Sequence, residues 1–173
     1  MPAFQKTMRT TDIGPVLSRL FSELADGAAA GGGAFMLNSG DVGLLRSLDT
    51  LSAGEASRAV NDGATIAAHA QHLRYGLSLM NRWASEGGDP FADARWDEAW
   101  HMSSVDAATW NEIRNGLRTE AHRWLRVLES PRDVAEEELT GMVASVAHFA
   151  YHLGAMRQIN KDARGPREGT FSA

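Results

Sequence analysis

Cysteine is absent from this sequence of 173 residues. That absence removes disulfides, a thiol nucleophile and thiolate metal ligands together. No run of about 18 apolar residues occurs, so no membrane-spanning helix and no membrane partner are expected. Basic residues are outnumbered, and the formal charge is −5. Phosphate backbones attract a basic face, so nucleic acid is not expected as a partner. The opening MPAFQKTMRTTDIGP lacks a long apolar core, so it does not read as a signal peptide and the expected location is cytoplasmic. Period-two alternation is missing, which leaves no strand signal beyond a short ribbon. So are the GxSxG, Walker A and GxGxxG patterns, and with them three common catalytic or nucleotide-binding devices. The glycine-rich GAAAGGGA at 27–34 follows no strand, so it reads as a mobile loop and not as a phosphate cradle.

What the sequence does contain is helical periodicity. Residues 12–26 carry Ile13, Val16, Leu17, Leu20 and Leu24 on one stripe, with Asp12 and Pro15 at a helix start. A shorter helix within 38–51 turns Leu44, Leu45, Leu48 and Leu51 inward, and Ser52 with Glu55 forms a capping box. Asn61-Asp62-Gly63 marks a turn. A long helix from about 64 to 85 places Ile66, His69, Leu73, Leu77 and Met80 on one stripe, and His72, Leu79 and Trp83 beside it. Residues 86–105 form a long link bearing Trp96, Trp100 and His101; a link of that length is often functional or crosses a bundle. A third long helix, about 106–128, points Trp110, Ile113, Leu117, Ala121, Trp124 and Leu128 inward.

The fourth helix dominates. Residues 133–160 read DVAEEELTGMVASVAHFAYHLGAMRQIN. Leu139, Met142, Val143, Val146, Phe149, Leu153 and Met156 recur at steps of three and four, and the other side is small or histidine. A helix apolar nearly all round is expected at the centre of a fold. Ser130 or Asp133 can cap it, and Glu136–Glu138 suits its first turn. Four long helices with a long link give an all-α four-helix bundle with crossover connections. The expected organisation is one helical domain over 1–173, with 1–10 and 161–173 as loosely held tails.

Histidine carries the chemistry. His148 and His152 are four apart and so stack on one helix face, one turn apart. His69 and His72 share a narrow sector of another helix. Three imidazoles from two such helices can hold one divalent metal ion with a position left open. Imidazole ligation suits zinc or nickel first, then iron or copper. Phe149 follows His148, so the built-in glutamate of an HExxH protease is missing. His101 and His122 read as surface or boundary residues, with His122 among Arg118, Arg123 and Arg126. Trp96 and Trp100 either wall the site or pack the link. Arg74 and Tyr75 either reach a substrate or face solvent.

The ordered set ATIAAHAQHLRYGL, a long link, then SVAHFAYHLGAMRQI resembles the DinB/YfiT-like superfamily, across most of the chain. That resemblance implies a four-helix bundle, often dimeric, with a divalent metal on three histidines. Residue by residue it points to His72, His148 and His152 as ligands. The family's helix-two ligand lies two turns after the small or hydroxylated residue that opens the helix, and His72 lies seven positions after Thr65. Leu73 follows His72, as the family pattern prefers. His69 is then a supporting residue about one turn away. The family's closing His-x-Gly-Gln-Ile departs here, because Gln158-Ile159 comes later than the pattern. Some relatives use low-molecular-weight thiols in transfer reactions. The resemblance thus implies a metal-dependent thiol transferase or hydrolase acting on a small molecule, and a homodimer. The alternative function is a non-catalytic metal- or small-molecule-binding bundle linked to stress response.

Overall fold

The computed structural model describes residues 7–28, 33–163 and 165–166. Among these the chain is mostly helical. β1 spans Thr7–Arg9, α1 Ile13–Asp26, α2 Gly43–Asp49, α3 Ala53–Ala56, α4 Ile66–Glu86, α5 Trp96–Trp100, α6 Ala107–Glu129, β2 Asp133–Ala135 and α7 Glu136–Ile159. A 3-10 turn, Lys161–Ala163, follows. No helix among the described residues is long and apolar enough to cross a membrane.

The starts of the long helices follow capping chemistry. Thr65 accepts from the Ala68 N–H at 3.2 Å to open α4, and Asp106 accepts from the Thr109 N–H at 2.7 Å to open α6. Ser52 and Glu55 close the expected capping box on α3. Asn61 and Asp62 adopt positive φ, as a turn before α4 requires.

α6 packs against both α1 and α4, and α7 packs against the same two helices. The inward residues expected on α6 are all buried, as are Ile66, Leu73 and Leu77 of α4 and Leu44, Leu45, Leu48 and Leu51 of the second segment. Phe21 of α1 and Phe149 of α7 meet with ring centroids 4.8 Å apart. Buried polar groups tie the layers. Trp124 of α6 donates to Ser145 of α7 at 2.9 Å, and Asn81 of α4 donates to the Glu120 backbone carbonyl at 3.0 Å. The buried Glu23 carboxylate accepts from the N–H groups of Phe35, Met36 and Leu37, which anchors the exit of the 27–34 segment. Residues 29–32 of that glycine-rich stretch lie outside the described residues.

Four expectations are corrected. α7 begins at Glu136, and neither Ser130 nor Asp133 caps it. Asp133–Ala135 instead pairs antiparallel with Thr7–Arg9, so these residues are extended and the helix can start only after them. The same ribbon ties down 7–10 of the expected loose N-terminal tail; Thr10 is buried and its hydroxyl accepts from the Arg132 N–H at 3.0 Å. At the other end, Ala163 is buried and the 3-10 turn packs on α7 and α2, so 161–163 are held as well; residues 1–6 and 167–173 lie outside the described residues. Last, α7 is not buried on several sides. It buries Met142, Val146, Phe149, Leu153 and Met156, but leaves Val143, Ala144, Ala147 and Tyr151 exposed, because α1 and α4 cover one side only. Val16 of α1 is likewise half-exposed.

Candidate metal centre

The Thr65 cap sets the start of α4, and from there the helical repeat carries His69 and His72 to the side that meets α7. On α7, His148 and His152 lie one turn apart with ring centroids 4.4 Å from each other. The two pairs interdigitate. His72 Nε2 lies 3.1 Å from His148 Nε2, and His69 Nδ1 lies 2.8 Å from His152 Nδ1. One potential ligand atom each from His72, His148 and His152 fall within 4.8 Å of one another, so the three can hold a metal ion. His72 and His152 are buried, whereas His148 is exposed. One side of the cluster therefore faces solvent.

The geometry fits a metal. Bonds of about 2.0–2.1 Å to a tetrahedral zinc place two nitrogens about 3.3 Å apart. The 3.1 Å between His72 and His148 is close to that separation. His152 turns Nδ1 to His69, which leaves Nε2 free to serve as a ligand nitrogen. With the His152 proton on Nδ1 and donated to His69 Nδ1, Nε2 would keep the lone pair that a metal needs, and His69 would favour that tautomer. His72 Nδ1 is buried and has no hydrogen-bond partner among the described residues, and the ring stacks on Trp100, 4.3 Å away at 25°.

Electrostatics favour the neutral, ligating forms. Burial pushes His152 down to about 3, and the neighbouring His148, His69 and His72 add repulsion. Burial and then His148 and His69 push His72 down to about 4. Burial also lowers His69 and His148. Neutral imidazoles keep a lone pair for a cation without first releasing a proton.

The link supplies a lid of aromatic rings. Trp100 also meets His69 edge-on at 5.3 Å and lies 5.7 Å from His152, while Trp96 is 5.5 Å from His72. Both tryptophans therefore wall the histidines, and the short helix α5 that carries them had no clear periodic signal. Tyr75 pins this link, its hydroxyl accepting from the Arg95 N–H at 2.9 Å. Arg74 points away, to Glu112 of α6 at 3.2 Å. His101 is exposed, and His122 bonds Asp26 at 3.0 Å, far from the cluster in its contacts. Sequence reasoning missed Tyr151, whose ring stands edge-on to His152 at 5.0 Å.

The chain matches no family model, no curated protein and no solved structure.

Two outcomes are expected. His72→Ala should weaken zinc binding, read by competition with a chromophoric chelator, by more than about 100-fold. His69→Ala should cost about 10–100-fold, the usual loss when a residue only orients a ligand. The reverse order would exchange their roles. The second concerns the metal-free protein. Burial lowers His69, His72, His148 and His152 below the ordinary 6.5, so their protonation favours the unfolded chain. The stability these groups contribute is present well above 6.5 and is lost as pH falls through it toward the folded values of about 4 for His72 and about 3 for His152. The urea midpoint should thus drop between about pH 7.5 and 5.5. A midpoint that holds or rises over that range would contradict this account.

Proposed function

We propose that this chain is a metal-dependent enzyme of the DinB/YfiT-like kind, in which α1, α4, α6 and α7 form the four-helix bundle. His72, His148 and His152 would hold a divalent metal, zinc or nickel in preference to iron or copper. The observation that carries this reading is the meeting of three imidazoles from two helices at a cluster with one exposed side, where burial favours their neutral forms. Structural zinc sites close their coordination, while catalytic sites keep a position open for water or substrate. When bound, the metal supplies Lewis acidity and lowers the pKa of a water or a low-molecular-weight thiol in that open position. Such a thiol explains how thiol transfer could run on a chain without cysteine. The protein's own residues do the rest. His69 holds the His152 tautomer, Trp100 fixes the His72 ring by stacking, and Trp96 and Trp100 restrict water on the link side.

A specific observation supports the second reading, a metal- or small-molecule-binding bundle without turnover. Among the described residues the candidate ligand group is histidine alone and includes no carboxylate to serve as a general base. The deciding experiment offers metal-loaded protein a low-molecular-weight thiol with an aromatic halide, and separately an activated ester. Product should form, cease on chelation and return with metal. Product formation unchanged after verified metal loss would sink the enzyme reading, and bound metal with no turnover would favour the second.

The homodimer implied by the resemblance belongs to the same proposal. Val143, Ala147 and Tyr151 lie four apart on the uncovered side of α7, and Tyr151 is 68% exposed. A second copy would cover an apolar stripe that one copy leaves in water. Sedimentation at micromolar concentration should give a dimer, and Tyr151→Arg should shift it to monomer; a monomeric parent protein would remove the dimer from the proposal.

A further inference from the structure

A cavity of about 280 Å³ opens beside His148, between α4, α7 and the link. Leu77, Met80, Trp83, Phe91 and Trp96 form its walls, and among the described residues no charged side chain lines it. The one hydroxyl in the lining, that of Ser145, is already committed: it accepts from Trp124 and donates to the Met142 carbonyl at 2.7 Å. Besides the indole N–H donors of Trp83 and Trp96, His148 is the lining side chain left with polar capacity toward a ligand, and it is also one of the three clustered imidazoles.

Shape narrows the occupant. Phe91 and Trp96 lie nearly parallel, 18° apart with centroids at 6.2 Å, and Trp83 stands edge-on to Phe91 at 5.8 Å. Flat aromatic walls favour a flat aromatic guest. A buried apolar cavity of about 150 Å³ takes one benzene ring, so this volume suits about two fused rings. The space is also kept open by backbone choice. Gly76 and Gly141 both sit inside long helices, where glycine is less favourable than alanine, and both line the cavity. A Cβ on Gly141 would come 2.7 Å from the Trp83 ring, so glycine there lets that wall stand. A Cβ on Gly76 would meet nothing nearer than Trp96 at 3.8 Å, so glycine there leaves room that a side chain would fill.

We infer that this cavity binds an uncharged, flat aromatic group of the substrate, about two fused rings in size, with its reacting end toward His148. That the guest belongs to a substrate, and that its reacting end faces His148, rest on the reading of the three histidines as the reactive centre. The walls and volume stand without it.

The experiment uses 2-naphthol as probe, titrated calorimetrically into the full chain with and without zinc, with zinc content measured separately. One molecule should bind per chain, and naphthalene-2-sulfonate should bind at least about 10-fold more weakly, because its charge would lose water without a partner. Gly76→Leu should weaken 2-naphthol at least about 10-fold while zinc content stays at the parent level, since the new side chain fills the cavity and not the histidine cluster. Should Gly76→Leu fold poorly, Ala144→Phe fills the same cavity from the exposed side of α7 and should have the same effect. No naphthol binding by the parent chain, equal binding of the sulfonate, or undiminished binding in a folded filling variant would overturn the inference. A parent chain that binds naphthol but no zinc would overturn the metal reading and leave the cavity's occupant as stated.

Discussion

Four imidazoles meet between α4 and α7, and desolvation lowers the pKa of each. A protonated member would place positive charge beside its imidazole neighbours, and the candidate ligand group among the described residues includes no carboxylate to balance it. The rings instead pair nitrogen to nitrogen, His72 with His148 and His69 with His152, and stack against Trp96 and Trp100. The unsatisfied Nδ1 of His72 is the residual strain of the arrangement. Sets of neutral, closely spaced lone pairs are what a divalent cation requires, and the surrounding apolar matter is what keeps them neutral.

The frame around the cluster serves to hold two helix faces in register. α6 packs on α4 and α1, and the Trp124–Ser145 and Asn81–Glu120 hydrogen bonds join it to α7 and α4. The β1–β2 ribbon sets where α7 begins. The link between α4 and α6 does more than connect. It lays two tryptophans over the histidines and, with Phe91, forms one wall of the apolar cavity beside them.

Where sequence reasoning failed, a long-range contact had overridden a local signal. Asp133 looked like a helix cap, yet its backbone is committed to the ribbon with Arg9. Val143 belonged to the apolar repeat of its helix, yet it is 48% exposed, because periodicity reports which residues share a face and not whether another helix covers it. α5 is five residues long, too short for a period to declare itself against its neighbours. The glycines at 76 and 141 could be seen as anomalies in helices, but only the positions of Trp96 and Trp83 explain them.

The sequence by itself determined the helical character, the inward faces of α4 and α6, the capping box of Ser52 and Glu55, and the pairing of His148 with His152 on one turn. These are local properties: spacing along one chain segment specifies them without reference to any other. It also made a three-histidine group conceivable, but could not choose its third member from periodicity, since His69 and His72 both approach the interior. Only the tertiary structure decided that His72 stands across from His148 while His69 sits behind His152, because that depends on the register of α4 against α7. The same holds for the tryptophan lid, the apolar cavity and the uncovered stripe of α7. Each is made by surfaces far apart in the chain, and side-chain packing between them, not the period of any one helix, sets the distances at which chemistry becomes available.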